Sequence, residues 1–306
     1  MATLYCVKTP TKLPERPFTW AEARALGFSR YRFDCLLANR EVIPMLQGVY
    51  RPVTVPDSQE VRARAAMLVI RPFAVVCDRT ASWLHGIDTF EYRELDILPP
   101  VETIVLRGNN RVRRQGCTGG IRDLARADIM EIEGVRLTTP VRTAMDLACK
   151  LSRYEALAVL DGFMRRHGLT HADLKAELPR YRRRRGVVQL RQLIPIADPQ
   201  AESSGESWTR LAIIDAGLPT PQPQYWVSDG DFDTYRLDLA YPKHRVAIEY
   251  DGRDFHSTPA QRAADEARRH WLREQDWIVI VVDKGSFSSQ ALARWIQELR
   301  EALGLS

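Results

Sequence analysis

The sequence predicts an α/β protein of the α+β, multidomain kind. Its 306 residues exceed one ordinary domain, and 45% of them are apolar, enough for more than one core. Helix starts of the S/T-x-x-E form recur at Thr19–Glu22 and Ser203–Glu206. Short β-branched runs fall between and after them, at Ala74–Cys77, Thr103–Leu106 and Trp277–Val282. The expected division is residues 1–55, two helices and a hairpin; 56–199, a mixed α/β middle ending in a basic linker; and 200–306, a self-contained α-β-β-β-α-β-α unit.

In the first segment, Thr19 and Glu22 start a helix from Trp20 to about Leu26, which Gly27 ends. Ser29 caps a second helix from Arg30 to about Asn39. Two apolar runs follow, Glu41–Met45 and Gly48–Arg51, and together these read as helix–turn–helix followed by a wing. In that geometry the start of the second helix meets the major groove, and Arg30, Tyr31 and Arg32 reach double-stranded DNA. The bland alternative is a small helical cap whose arginines face water.

Net charge is a modest +5, but its distribution is uneven. Arg180, Arg182, Arg183, Arg184 and Arg185 form one block, and Arg107, Arg111, Arg113 and Arg114 another. Such blocks suit phosphate contacts, with Arg183 and Arg184 the leading candidates; either block alone also reads as a solvated face. The five cysteines, Cys6, Cys35, Cys77, Cys117 and Cys149, are widely spaced and form no CxxC pair, so neither a disulfide framework nor structural zinc is expected. Without a signal-like leader or a long uncharged apolar stretch, a cytoplasmic, nucleoid-associated protein with no membrane partner is expected.

In the middle segment Glu60–Ile70 reads as a helix, Val141 to about Leu151 as another after Thr139-Pro140, and Ser152 caps a third running to about His167. His85 suits a helix end. Gly168 and Thr170 argue against one helix carrying both His167 and His171, so no histidine pair reads as a ligand set. The Arg180–Arg185 run with Pro195 and Pro199 reads as a linker.

The last third carries the chemistry. A helix opens at Ser203 and runs to about Ala216. Strands are expected at Gln224–Ser228, Thr234–Ala240 and Arg245–Asp251, and Pro259 begins a helix to about Gln275. Trp277–Val282 reads as a strand buried on both faces, and a final helix spans about Ser288 to Leu303. Glu249 and Asp251 share one strand face, Ile248 and Tyr250 the other. A four-residue connection, Tyr241 to His244, with Ala240 pairing Arg245, is expected to set Asp238 opposite Glu249. Carboxylates that close raise each other's pKa unless a cation neutralises them, and oxygen ligands suit Mg²⁺ or Mn²⁺. Asp238, Glu249 and Asp251 are therefore the expected metal ligands. His256 would serve as general acid or base, and Glu206 would complete the acidic set. The bland readings are that Glu206 is the N3 residue of a capping box, that Asp265 pairs Arg268 along a helix, and that Asp251-Gly252 is turn chemistry.

Two family resemblances rest on these residues. Leu26-Gly27-Phe28-Ser29-Arg30, Gly48-Val49-Tyr50-Arg51 and Thr80-Ala81-Ser82-Trp83-Leu84-His85-Gly86 resemble AbiEi-type antitoxins of type IV toxin–antitoxin systems. That resemblance implies an N-terminal winged helix, sequence-specific DNA binding, repression of the protein's own operon and a partner toxin. Ser203-x-x-Glu206 with Arg210, Asp238, Glu249-x-Asp251-Gly252, His256, Arg262, Asp265 and Arg268 resemble the PD-(D/E)xK nuclease superfamily. The nearest likeness there is to very-short-patch-repair-like and EDxHD endonucleases. It implies a restriction-endonuclease-like αβββαβ core, Mg²⁺-dependent endonuclease activity or a repair partner, catalytic roles for Glu206, Asp238, Glu249, Asp251, His256 and Asp265, and DNA contact by Arg262. The superfamily's lysine is replaced here by Asp251, which puts that residue's role in doubt.

A metal-dependent DNA endonuclease steered by its winged helix is thus the leading expectation. A DNA-binding regulator or antitoxin with a non-catalytic nuclease-like domain is the alternative, and an RNA nuclease acting as a toxin uses the same centre.

Overall fold

A computed structural model describes residues 12–70, 73–89, 100–113, 117–229, 232–252 and 259–305, with side chains omitted at 59, 229, 232, 233 and 259–265. The expected sites at Cys6, Arg114 and His256, and the side chains of Arg262 and Asp265, lie outside the described residues. The chain falls into two compact units, Met1–Leu147 and Ala148–Ser306.

The first unit begins with β1 (Phe18–Thr19), α1 (Trp20–Ala25), α2 (Arg30–Ala38), β2 (Val42–Leu46) and β3 (Val49–Pro52). Thr19 and Glu22 complete the capping box at α1, and the Ser29 hydroxyl accepts the Arg32 N–H at α2. Between the helices Gly27 takes φ +92°, a conformation glycine adopts without a Cβ penalty. The strands form an antiparallel three-stranded sheet ordered β1-β3-β2. Phe18, Ala23, Phe28, Phe33 and Val42 bury a small core between helices and sheet. The helix pair with a wing is therefore present, and β1 adds a third strand that the sequence pattern did not reveal.

The rest of this unit holds α3 (Gln59–Met67), β4 (Val75–Val76), α4 (Asp78–Leu84), β5 (Val101–Leu106), β6 (Cys117–Arg122), β7 (Ile129–Ile132), β8 (Val135–Thr138) and α5 (Pro140–Ala148). Five strands line up as β6-β5-β4-β8-β7. The Thr80–Gly86 motif is α4 and its end: Thr80, Ser82, Trp83, Leu84 and His85 are all buried, and the His85 ring Nε2 lies 2.8 Å from the Thr138 carbonyl. This histidine closes the helix, as its place before Gly86 suggested, and is buried there.

The second unit opens with helices α6 (Arg153–His167), α7 (His171–Glu177) and α8 (Val187–Leu193). Gly168, at φ +65°, ends α6, and Thr170 caps α7 with a full capping box, so His167 and His171 sit on separate helices. The Arg180–Arg185 run is not an extended linker. It follows a 3-10 turn, Leu178–Tyr181, pinned by buried Tyr181, and leads directly into α8, whose Val187, Leu190 and Leu193 are buried. Apolar residues on both sides of the arginines hold the backbone against the unit.

Then come α9 (Ser204–Asp215), β9 (Gln222–Asp229), β10 (Phe232–Tyr241), β11 (Val246–Tyr250), α10 (Pro259–Glu274), β12 (Ile278–Val282) and α11 (Ser289–Ala302), the element order expected. The sheet runs β12-β11-β10-β9, antiparallel except for the parallel β11–β12 pair. Leu239, Tyr241, Val246, Ile248, Ile280 and Val282 pack with Ala212 and Ile213 of α9 and Trp295 and Leu299 of α11. Ala240 and Ala247 pack with Leu272 of α10 and with Trp277. α6 is joined to α9 by an enclosed ion pair, Arg210 to Asp161 at 2.5 Å.

Two expectations are corrected here. Trp277–Val282 does supply a strand, but β12 is the border of the sheet, and Ile278 and Val281 are 45% and 39% exposed. A β-branched run reports strand propensity and does not tell a central strand from a bordering one. The β10–β11 connection is four residues long, as expected, but it is Pro242–Arg245, not Tyr241–His244. Tyr241 pairs Val246, Ala240 pairs Ala247 and Leu239 pairs Ile248. The Ala240–Arg245 pairing would have set Asp238 beside Ala247. The observed register, continued one step past its last pair, Leu239–Ile248, points it at Glu249.

Candidate functional site

Beyond the Leu239–Ile248 pair, β10 no longer supplies a regular ladder partner to β11. The Asp238 carboxylate fills that place and accepts the Tyr250 N–H at 3.0 Å. Its carboxyl is pushed up to about 6, first by burial and then by the negative charge of Glu206, with Glu249 adding to the rise; the Tyr250 N–H and Arg268 oppose it. Asp238 thus lies within electrostatic reach of both Glu206 and Glu249.

Glu249 is 2% exposed on β11. Its Oε2 accepts Arg268 Nη2 at 2.7 Å and lies 3.7 Å from Arg269 Nε. Arg269 also reaches Asp251 Oδ2 at 3.3 Å, so Glu249 and Asp251 do share a face, while Ile248 and Tyr250 turn to the α9 and α11 side. Arg268 donates a further hydrogen bond to the Arg236 carbonyl at 3.3 Å. The expected Asp265–Arg268 pair lies outside the described residues. Arg269 was missed, although its step along α10 from Arg268 offered a signal.

Glu206 arrives from α9. Ser203 caps that helix through the Glu206 N–H, but the Glu206 carboxylate does not close a capping box. It accepts the Glu202 N–H at 2.9 Å and Gln224 Nε2 at 2.8 Å. Its position depends on the preceding residue: a Cβ built on Gly205 would fall 2.1 Å from the Tyr250 ring. Only a residue without a side chain lets α9 lie this close to β11. Tyr250 in turn meets Trp208 and Phe287 in a three-ring cluster, with centroids 5.9 to 6.5 Å apart.

The donor set of this centre is carboxylate oxygen, the chemistry suited to Mg²⁺ or Mn²⁺. The placement does not suit one ion. Each carboxylate is already engaged, by arginine at Glu249 and Asp251, by amides at Glu206 and by a backbone N–H at Asp238. Among the described residues no three His, Cys, Asp or Glu side chains are placed to hold a metal together.

In the first unit, Arg30, Tyr31 and Arg32 all sit exposed at the start of α2, with Tyr31 81% exposed. Arg30 pairs with Asp34 at 3.1 Å and lies over the Trp20 ring, and Arg32 lies over Phe28. In the second unit Arg182, Arg183 and Arg185 are exposed and make no ion pair among the described residues, while Arg184 stacks over the Tyr181 ring at 4.8 Å.

One constellation escaped the sequence reading. Arg142 of α5, 2% exposed, reaches Asp146 at 2.8 Å and Asp128 at 3.1 Å. Arg122 joins Asp146 at 3.2 Å and binds Asp78 through both terminal nitrogens. Asp78 adopts φ +53°, a left-handed conformation uncommon for a non-glycine residue. The four-residue step from Arg142 to Asp146 was a readable clue. The long-range partners were not readable, because β6, β7 and β8, whose pairing brings them together, were not seen.

This network lies inside residues 74–196, which match the AbiEi antitoxin C-terminal domain. The Thr80–Gly86 motif falls in that match, so this part of the antitoxin resemblance belongs to the middle of the chain and not to the winged helix. Two uncharacterized Mycobacterium tuberculosis proteins, MT2308 of strain CDC 1551 / Oshkosh and Rv2248 of strain ATCC 25618 / H37Rv, are each 33% identical to it over 258 residues. The aligned stretch covers 83% of this chain and 91% of each relative. The chain belongs to the same family as these two proteins. Among the described residues no helix is long and apolar enough to cross a membrane.

Proposed function

We propose that this protein is a DNA-binding regulator of the antitoxin type, in which the nuclease-like C-terminal part is not catalytic. One observation carries the reading: an AbiEi antitoxin C-terminal domain match at 74–196 follows a helix pair and wing whose second helix begins with exposed Arg30, Tyr31 and Arg32. Such a helix start suits base edges in a major groove, and the wing suits the adjoining backbone. Arg182, Arg183 and Arg185, exposed on a packed turn, add sequence-independent phosphate contacts. A toxin encoded alongside is the protein partner this reading implies. Residues 200–306, an α-β-β-β-α-β-α unit, contribute binding surface.

The test is binding of the full chain to DNA from upstream of its own gene, measured by fluorescence anisotropy across a salt series. Arg30→Ala with Arg32→Ala should weaken that binding about tenfold or more, at roughly 1–3 kcal/mol for each lost base contact, and leave binding to unrelated DNA nearly unchanged. Equal loss on both DNAs would remove the specific reading.

A second reading, phosphodiester cleavage, is favoured by Asp238, a carboxyl ionising near neutrality beside two others. Supercoiled plasmid incubated with Mg²⁺, Mn²⁺ or EDTA, beside Asp238→Ala and Glu249→Ala, separates the two. Cutting that needs the ion and both carboxylates would install the nuclease in place of the regulator.

A further inference from the structure

We infer that Arg268 and Arg269 are the resident cations of the acidic centre, neutralising with guanidinium groups the carboxylates that a divalent ion would otherwise neutralise. The buried Glu249 carboxylate needs a nearby positive charge, since an ionised group taken out of water without one is strongly disfavoured. Arg268 supplies it at 2.7 Å and Arg269 at 3.7 Å, both on Oε2. Arg269 spans to Asp251 at 3.3 Å, so one guanidinium joins the two carboxylates that the strand places on a single face. A metal ligated by Glu249 and Asp251 would have to take the place this side chain holds.

Two further features make the arrangement a built one. Arg268 is anchored at a second point, the Arg236 carbonyl at 3.3 Å, so its head group is fixed between β10 and β11. The two arginines are also consecutive on α10, whose Leu272 is buried against Ala240 and Ala247, so one packed helix delivers both. A divalent ion added here would face two guanidinium groups across a few ångströms, and like charges at that range oppose each other. The centre thus fastens α10 to the two inner strands by charge, with Glu249 and Asp251 as the carboxylates the arginines hold. This conclusion stands whether or not the first unit reads DNA.

The experiment uses the full chain and Mn²⁺ itself, with binding followed by isothermal titration and unfolding by differential scanning fluorimetry. Wild type should show no saturable Mn²⁺ site that Glu249→Gln removes, and the same melting midpoint in Mn²⁺ and in EDTA. Glu249→Gln and Arg268→Gln should each lower the midpoint, and together should lower it by less than the two losses combined, the mark of a direct pair. Arg268→Lys, which keeps the charge but not the two-point geometry, should fall between wild type and Arg268→Gln. Stoichiometric Mn²⁺ uptake abolished by Glu249→Gln, or strictly additive losses, would overturn the inference. The Mn²⁺ comparison needs only wild type and Glu249→Gln, so a failure of Arg268→Gln to fold leaves a decisive result.

Discussion

The buried network of the first unit and the acidic centre of the second handle charge in opposite ways. Around Arg142, each of Asp78, Asp128 and Asp146 has an arginine in contact. Around Glu249, the two arginines serve Glu249 and Asp251, while Glu206 is held by neutral amide groups and Asp238 by a backbone N–H. In the first arrangement every carboxylate meets a guanidinium. The second leaves Asp238 short of positive charge, and its carboxyl rises to about 6. A carboxylate count alone would rank the two alike; the difference lies in where the guanidinium groups fall. A closed network reads as architecture, and an under-compensated carboxyl as a place where the fold tolerates local cost.

The largest effect that tests this contrast is at Arg142. Arg142→Ala takes the arginine from buried Asp128 and leaves Asp146 with Arg122 alone, and should cost about 3–5 kcal/mol in urea unfolding. A loss under about 1 kcal/mol would mean the network is wet and the contrast false.

At Asp238 the sign reverses. Its folded-state pKa lies above the ordinary 3.8, so the group's favourable contribution is present below that value and is lost as pH rises through about 6. Asp238→Asn should therefore stabilise the chain at pH 7.5 by about 2–3 kcal/mol, a shift of roughly two pH units at 1.36 kcal/mol each. The gain should fade toward pH 4. A variant less stable than wild type at pH 7.5 would show that the carboxylate is compensated after all.

Gly205→Ala should give the smallest change, about 1–3 kcal/mol of destabilisation, because the new methyl would meet the Tyr250 ring. It sharpens the comparison by moving Glu206 without altering any charge. If α9 recedes, the Asp238 carboxyl should titrate lower, as an NMR titration would report, and an unchanged titration would dissociate Glu206 from the rise.

How much of this was readable in advance depended on the range of the interaction involved. The caps at Thr19, Ser29 and Ser203, the break at Gly168 and the element order of residues 200–306 follow from neighbours a few residues apart, and all are present. The opposition of Asp238 and Glu249 was legible from strand periodicity, though the loop had to be moved by one residue to obtain it. What stayed hidden was non-local. The five-stranded sheet has no strong alternation in Cys117–Arg122, whose glycines Gly119 and Gly120 blur the pattern. Arg122, Asp78 and Asp128 meet only once that sheet is formed. Arg268 and Arg269 sit on a helix surface where charged residues ordinarily face water; Arg268 stood among the motif residues, but its partner Glu249 and the role of Arg269 emerge only once α10 packs on the sheet.

One consequence concerns the short hairpin connection Pro242–Arg245, where Arg245 takes φ +51°. Surface loops are where chains ordinarily gain and lose residues with little harm. This one has no such freedom. A slip of a single step along β11 would hand Asp238 a leucine-like neighbour, Ile248, in place of Glu249, and would turn the greasy side of the strand outward. The spelling of a solvent-washed bend, whose own ion pair is to Asp276 and not to the acidic centre, therefore decides which acids become neighbours.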